Sequence, residues 1–521
     1  MRRFLITAGV AAAAALSGPA SAADLKMAFA QAPTSIDPHF HNSGTNSALI
    51  RHVFDPLIIN QNGLQPGLAT SWKAISDTVW EIKLREGVTF HDGSPFDAAD
   101  VVFTIERLPN VPDSPSSYAS SVQPIKEIEV VDSHTLRLVT DKPSPVLPNK
   151  LAEFTIVSDE VGKGAATADY TTGKAMVGTG PYRFVSSRAS ESYKLARNES
   201  YWGGAEPWET VEIRIVESGP ARTAALLSGE LDLIERVPSN DVPRLSDNAS
   251  TNVHSGPTNR VVFVSLDVQR DAVQENYARD GAGNPLAKNP MMDKRVRQAL
   301  SMAIPREALI ERALGGDGGL ASNLVPPGFF GYNTDIPVEA YDPEGAKKLI
   351  AEAGYPDGFE ITFHASTDRI AYAPQVAQVL AQSWTRIGVK TSLETMPHSV
   401  YIPKTNAFEY AYMLHSWGTA SDAGYTLNGI AVTRDKPNGK GPSNRGRYSN
   451  PDVDRMIAEA QTTLDTDKRE KLLHDAMSIT IGDYGIIPLY AQKASWGTSK
   501  GTSYAPAVDL MTLAMRAKPA N

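Results

Sequence analysis

Near Arg260 the hydrophobic rhythm of the chain changes, and this change constrains the fold more than any single motif. Before it, apolar and polar residues alternate as in half-buried strands. Leu25 to Phe29 is one such run, and "TVWEIKLREGVTF" places Trp80, Ile82 and Leu84 on one face. "IKEIEVVDSHTLRLVT" reads as a hairpin around Asp132-Ser133-His134; "YKLARNESY", "VEIRIVE", "LDLIERV" and "RVVFVSLDV" read as further strands. After it, the apolar spacing turns helical. "DKRVRQALSMAIPREALIERAL" has Pro305 restarting a helix, and "DPEGAKKLIAEAGYPDG" has Asp342 as N-cap and Gly354 past the end. "APQVAQVLAQSWTRIGV", "NPDVDRMIAEAQTTL" and "DTDKREKLLHDAMSITI" are further helices, and the short strands "FEITFHA" and "VKTSLETM" make this half an α/β unit. A chain of 521 residues is too long for one ordinary domain. Two or three lobes are expected, with the break near Arg260–Val268. The strand-like "GIIPLYAQKASWGTSKG" is placed to run back and form a two-strand hinge.

The first residues carry a different signal. "MRRFLITAGVAAAAALSGPASAA" has a basic start, an apolar middle and small residues at Ala20 and Ala22, the pattern of a secretory signal peptide cut after Ala22. The apolar run is too short to span a bilayer. Arg2 and Arg3 are the only charges before the cut, so the mature formal charge is −11 rather than −9. An acidic chain without a basic stripe is a poor nucleic-acid binder. Cysteine is absent, which excludes disulfides, thiol catalysis and a lipid-attachment cysteine. The mature chain is expected to be soluble outside the cytoplasm, in the periplasm of a bacterium with an outer membrane.

A search for catalytic machinery returns little. There is no G-x-S-x-G elbow, no H-E-x-x-H and no EF-hand loop. "GTGPYRF" lacks the third glycine of a dinucleotide fingerprint, and "GGDGGLAS" has no lysine to make it a phosphate loop. Of the ten histidines, only His39 and His41 are close in sequence. Asp97 and Asp100 read as a helix cap with a capping-box partner. No enzyme, cofactor or metal site is expected, and the chain leans towards binding.

Several stretches taken in order resemble a known family. "FDPLI…LQPGLATSWKAISDTVWEIKLREGVTFHDGSPFDAADVVFTIER" is followed by "VGTGPYRF", "RNESYWGG", "LLSGELDL", "DKRVRQALSMAIPREALI", "YDPEGAKKLIAEAGYPDGFE", "SWTRIGVK" and "YSNPDVDRMIAEA". Together they are similar to the extracytoplasmic solute-binding proteins of family 5, the peptide- and nickel-type binding proteins of ABC importers. The resemblance implies an α/β periplasmic-binding-protein fold with two lobes, a hinge and an extra N-terminal strand-rich subdomain. The expected layout is a leader over 1–22, lobe I over 23–260 with the subdomain at about 68–176, lobe II over 261–495, and a return to lobe I over 496–521. It also implies a monomer that captures a peptide or other small molecule and presents it to ABC-transporter permease subunits. Short peptides or peptide-like solutes lead; a sugar, opine or metal chelate is the alternative, and a secreted hydrolase comes third.

The stretch "YMLHSWGTASDAGYTL" becomes the candidate pocket wall. In peptide binders of the family, an acid three residues after the tryptophan pairs with the ligand's α-amino group; here that place is Ala420. Asp422, the only acid between Tyr410 and Arg434, is the nearest substitute, or else it caps a local turn. In the first role its charge-assisted hydrogen bond would contribute about 1.5–3 kcal/mol, or roughly 10- to 150-fold in affinity. The resemblance also implies an arginine for the ligand carboxylate in the loop "HASTDRIAYAP", where Arg369 stands. Trp417, Tyr372 and Tyr425 either contact ligand or pack. Arg445 and Arg447 read as surface or interlobe charges, and His415 as a buried hydrogen-bonded residue.

Overall fold

The structure, a computed structural model, describes residues 23–61, 63–188, 190–270 and 278–520. The expected leader at 1–22 and residues 271–277 of the polar segment after the central strand lie outside the described residues. No described helix is long and apolar enough to cross a membrane.

A mixed sheet of twelve strands runs through the molecule. At one end Ala23–Phe29 lies parallel to Trp208–Ile215, with Leu25 opposite Val211, and to Leu233–Ile234. Ser192–Arg197 and Tyr182–Arg188 extend that edge antiparallel. The alternation in the first strand puts Leu25, Met27 and Phe29 into a core with Trp208, Ile213, Trp496 and Tyr504. The run "LDLIERV" yields only two strand residues, because Arg236 takes a left-handed φ of 50°. The Arg222 guanidinium accompanies that turn, donating to the carbonyls of Glu235 and Arg236.

Two long strands, Thr251–Leu266 and Ile486–Ser499, carry the sheet from this end to the other. They pair antiparallel in two blocks, Thr251–Pro257 against Lys493–Ser499 and Val261–Ser265 against Ile486–Ala491. Between Pro257 and Val261 the register shifts. Pro257 lacks a backbone donor, and a bulge at that point bends the ribbon. The second block lies in a separate core, where Val262 and Val264 pack with Phe363, Leu380 and Trp384. Two crossings with a bulge between two cores are what a hinge requires.

Beyond the hinge, Tyr412–Gly418 pairs with Thr251–Leu266, and Phe359–Ser366 runs parallel to both Tyr412–Gly418 and Val389–Met396. Helix Ala373–Arg386 covers these strands through Val376, Leu380 and Trp384. A second layer packs Ala423–Ile430, Pro451–Ala460 and Thr466–Gly482 around Phe263. The helix expected through Pro305 is split, with Lys294–Met302 ending first and Arg306–Ala308 starting again. Near the N-terminus, Ala69–Ser76, Val79–Leu84, Thr135–Thr140 and Ile125–Asp132 form a separate antiparallel sheet. Helix Ala98–Arg107 covers it under a capping box: Ala99 donates to Asp97 at 2.7 Å, and the Asp97 amide donates to Asp100 at 2.9 Å.

Candidate functional site

The parallel strands Phe359–Ser366 and Tyr412–Gly418 end together, and a pocket of about 280 Å³ opens at their carboxyl ends. Ligand crevices in parallel sheets lie at such ends, because the loops there leave the sheet in diverging directions. Arg369 comes from the loop after the first of these strands, and Ser416, Trp417 and Gly418 end the second. The hinge strand supplies Arg260, paired across the sheet with Gly418. A Cβ added at Gly418 would lie 3.2 Å from the Arg260 guanidinium, so the missing side chain leaves room for it. His398, at the start of helix His398–Asn406, and Arg445 complete the polar lining.

Each positive group is only lightly held. Arg260 donates to the Ser416 hydroxyl at 3.1 Å, and Arg445 to the Asn406 side-chain oxygen at 3.1 Å. Arg369 is exposed and makes no hydrogen bond or ion pair among the described residues. No carboxylate lines the pocket. Burial, then the neighbouring Arg369 charge, lowers Arg260 to about 10, so it still carries its proton at neutral pH. Burial also lowers His398, with Arg369 and Arg445 adding to the effect against Asp368. His415 is pushed well down by burial and then by Arg445 and His398. Its Nε2, the His398 Nδ1 and the Trp417 Nε1 are buried without a hydrogen-bond partner.

Trp417 and Tyr425 form the apolar side, with ring centroids 5.7 Å apart. The indole sits over Gly429 of helix Ala423–Ile430, where an added Cβ would stand 2.7 Å from its ring. Three of the five residues singled out in the sequence, Arg369, Trp417 and Tyr425, thus share one pocket. Tyr372 does not line it. That residue takes a left-handed φ of 60° before helix Ala373–Arg386 and packs, half-buried, on the core of the second lobe. Asp422 is 1% exposed and fully engaged: one oxygen accepts from the Tyr425 amide at 2.9 Å as a helix cap, and the other meets Arg469 at 2.5 Å. These contacts are those of the turn-capping alternative, and the residue borders the second chamber described below and not the arginine pocket. Arg447 is likewise taken, by the buried Asp267 at 2.5 Å.

Arg260 and His398 were not singled out in the sequence, and Arg445 reads there as a surface or interlobe charge. They stand on three segments far apart in sequence: Arg260 on the hinge strand, His398 on helix His398–Asn406, and Arg445 on a loop that bonds to Asn406 of that helix.

Two larger spaces adjoin. A cleft of about 630 Å³ lies between the lobes, with Asn42, Arg51 and Glu153 on one wall and Asn259, Thr419 and Ala420 on the other. It shares Asn60, Asn149, Phe329 and Val508 with a second chamber of about 580 Å³, lined by Trp72, Trp80, Phe330 and Tyr332. No group of three or more metal-ligating side chains occurs among the described residues.

Comparison with known proteins follows the same lines. The family model described as bacterial extracellular solute-binding proteins, family 5, matches residues 63–437. The chain is 28% identical over 488 residues to heme-binding protein A of Haemophilus influenzae, covering 88% of this chain and 85% of that protein. It is 27% identical over 475 residues to the dipeptide-binding protein of Escherichia coli, covering 86% and 85%. It is 28% identical over 511 residues to a glutathione-binding protein of Pectobacterium atrosepticum, covering 96% and 94%. Among solved structures, the unliganded open form of the periplasmic murein tripeptide binding protein MppA superposes with a TM-score of 0.82 at 23% identity, covering 96% of this chain and 98% of that one.

Proposed function

We propose, from the premise that the chain belongs to the bacterial extracellular solute-binding proteins of family 5, that it is the exported receptor of an ABC importer for peptide-like solutes. The observation that carries this reading is the arginine-lined pocket at the strand ends, walled by Trp417 and Tyr425 and opening beside an interlobe cleft. Arg369 is placed to take a ligand carboxylate through a bidentate, charge-assisted pair. Trp417 and Tyr425 offer a flat surface to the neighbouring part of the ligand, and the cleft takes the body. Tyr372 and Asp422 support the pocket from outside it, one at the start of a helix and the other as cap and ion-pair partner. Relatives that carry dipeptide- and glutathione-binding names support the ligand class.

Recognition, not catalysis, is the chemistry. Ligand bridging the two lobes selects the closed arrangement by its differential contacts, and that form meets the permease. Export by the leader at 1–22 belongs to the same reading. A second reading keeps the receptor and changes the ligand to an opine or similar solute without a free α-amine. Ala420 favours it, because the place of the amine anchor carries no charge and Asp422 is committed elsewhere. Native mass spectrometry of the protein taken gently from its host, followed by calorimetric titration of a dipeptide panel, tests the proposal. Co-purified peptide or micromolar dipeptide binding is expected. Specific capture of a ligand with no peptide-like carboxylate would overturn it.

A further inference from the structure

The charge of the pocket exceeds what one peptide carboxylate neutralises. Arg260, Arg369 and Arg445 bring three guanidinium groups to a space of about 280 Å³, and no acid lines it. Arginine keeps its proton in proteins, so the three charges are permanent. Two helices, Ala373–Arg386 and His398–Asn406, begin beside the pocket and add the positive ends of their dipoles. The acid next to this cluster, Asp368, spends a carboxylate oxygen on the His398 amide at 2.7 Å. Like charges brought together repel unless a counter-charge lies between them.

Two unpartnered polar atoms lie in the wall of the same pocket. His415 is 7% exposed, and its Nε2 has no partner. The Trp417 Nε1, on the same strand, has none either. Buried polar groups are hydrogen-bonded in nearly all folded proteins, so each such atom marks a place for a partner. The guanidinium groups of Arg260, Arg369 and Arg445 by themselves present more N–H donors than one carboxylate accepts.

Resting on the reading that this pocket holds one end of the ligand, we infer that it receives an end group bearing two negative charges, either a close pair of carboxylates or one phosphoryl group. A single carboxylate that engages Arg369 leaves the charges of Arg260 and Arg445 without a counter-charge in the pocket. A doubly charged group offers counter-charge to all three. Selectivity for the second charge therefore lies with Arg260 and Arg445, and not with the exposed Arg369 alone.

The test is calorimetric titration of acetate, malonate and inorganic phosphate at pH 7.5 and constant ionic strength, with Ala-Ala, Ala-Gln and Ala-Glu alongside. Malonate or phosphate is expected to bind at least tenfold more tightly than acetate, and Ala-Glu at least tenfold more tightly than Ala-Gln. Preference for malonate assigns the carboxylate pair; preference for phosphate assigns the phosphoryl group. Arg445→Gln is expected to bring the dianion within about threefold of acetate, with an unchanged melt. Arg369→Gln, at an exposed position, serves as the second variant and weakens every anion. Equal binding of acetate and both dianions overturns the inference, as does selectivity that survives Arg445→Gln combined with Arg260→Gln. Ala-Ala binding as tightly as Ala-Glu also overturns it and leaves the peptide-receptor reading standing. Dianion binding without any dipeptide binding does the reverse.

Discussion

Replacing Asp422 with alanine separates the two roles open to that residue in the sequence. If it were a ligand anchor, affinity would fall and the fold would hold. The structure leads to the opposite result. The Asp422 and Arg469 side chains are 2% and 8% exposed and meet at 2.5 Å, with the Arg469 Nε donating to the Ala460 carbonyl. Removing one partner of a buried pair leaves an uncompensated charge, which costs about 3–5 kcal/mol. The same carboxylate caps helix Ala423–Ile430, so the typical cap contribution of about 1 kcal/mol falls within that range and is not added to it. For a cooperative unit of about 250 residues, 1 kcal/mol moves the midpoint by roughly 2 °C, giving a drop of about 6–10 °C. Differential scanning calorimetry measures this. Asp422→Asn keeps a cap acceptor and is expected to fall between wild type and Asp422→Ala. Asp422→Leu with Arg469→Met removes both charges and is expected to recover most of the loss, since replacing a whole buried pair by apolar groups is often neutral. Ligand affinity of the folded Asp422→Ala protein is expected within about twofold of wild type, because the carboxylate that borders the second chamber is held by the Tyr425 amide and Arg469 and does not line the arginine pocket. A tenfold loss of affinity with an unchanged melt would refute this reasoning and restore Asp422 as the anchor.

Other substitutions and conditions probe the rest. Trp417→Ala removes the ring wall and is expected to weaken binding tenfold or more by calorimetry; Gly429→Val, whose Cβ would stand 2.7 Å from that ring, is expected to act in the same direction. Undiminished affinity in both would move the ligand elsewhere. Burial above all holds His39, His52 and His91 at about 4. An unfolded histidine takes its proton near pH 6.5, so their contribution to stability is complete above that pH and is lost as pH falls from 6.5 to 4. This amounts to about 2 kcal/mol at pH 5 for each of the fully buried His39 and His52, and less for the partly buried His91. Asp100, raised to about 6 by burial, takes up a proton in the folded state and offsets roughly one of the three. Melts are therefore expected to shift downward between pH 7 and pH 5, and a flat profile would count against it. Binding is expected to survive EDTA, and N-terminal sequencing of exported protein is expected to begin at Ala23.

How much of this was legible in the sequence depended on how far apart the cooperating residues lie. Local signals read well. The alternation around Trp80, Ile82 and Leu84 gave a strand, and Asp97 with Asp100 gave a capping box, because each depends on neighbours within a few residues. Asp342 before Pro343 marked a helix start for the same reason. Asp422 was harder, since a lone acid beside small residues looks the same whether it faces a ligand or caps a helix. Only Arg469, forty-seven residues further on, decides between them. The pocket was hardest of all. Arg369 was reachable because a familiar loop carries it, but Arg260 belongs to the hinge strand and Arg445 to a segment read as surface or interlobe. No spacing rule joins three arginines that sit on separate elements.

Their meeting follows from the topology. Thr251–Leu266 passes from one lobe to the other, and its bulge ends at Arg260, so that guanidinium sits where the ribbon bends. Gly418 lies directly across from it on the strand whose end forms the pocket. On the proposed reading of the pocket, a residue at this junction would have ligand on one side and the bend on the other. An anion that engages Arg260 therefore acts on the strand that must flex for the lobes to approach. Ligand in the pocket and movement of the hinge would then be coupled through a single side chain. On that argument, Arg260→Gln reduces both anion affinity and the ligand-induced compaction measured by small-angle scattering, whereas Arg369→Gln, which stands on a loop away from the hinge, reduces affinity and leaves the compaction at saturating ligand intact. Equal loss of compaction in both variants would sink the coupling and leave Arg260 as one charge among three.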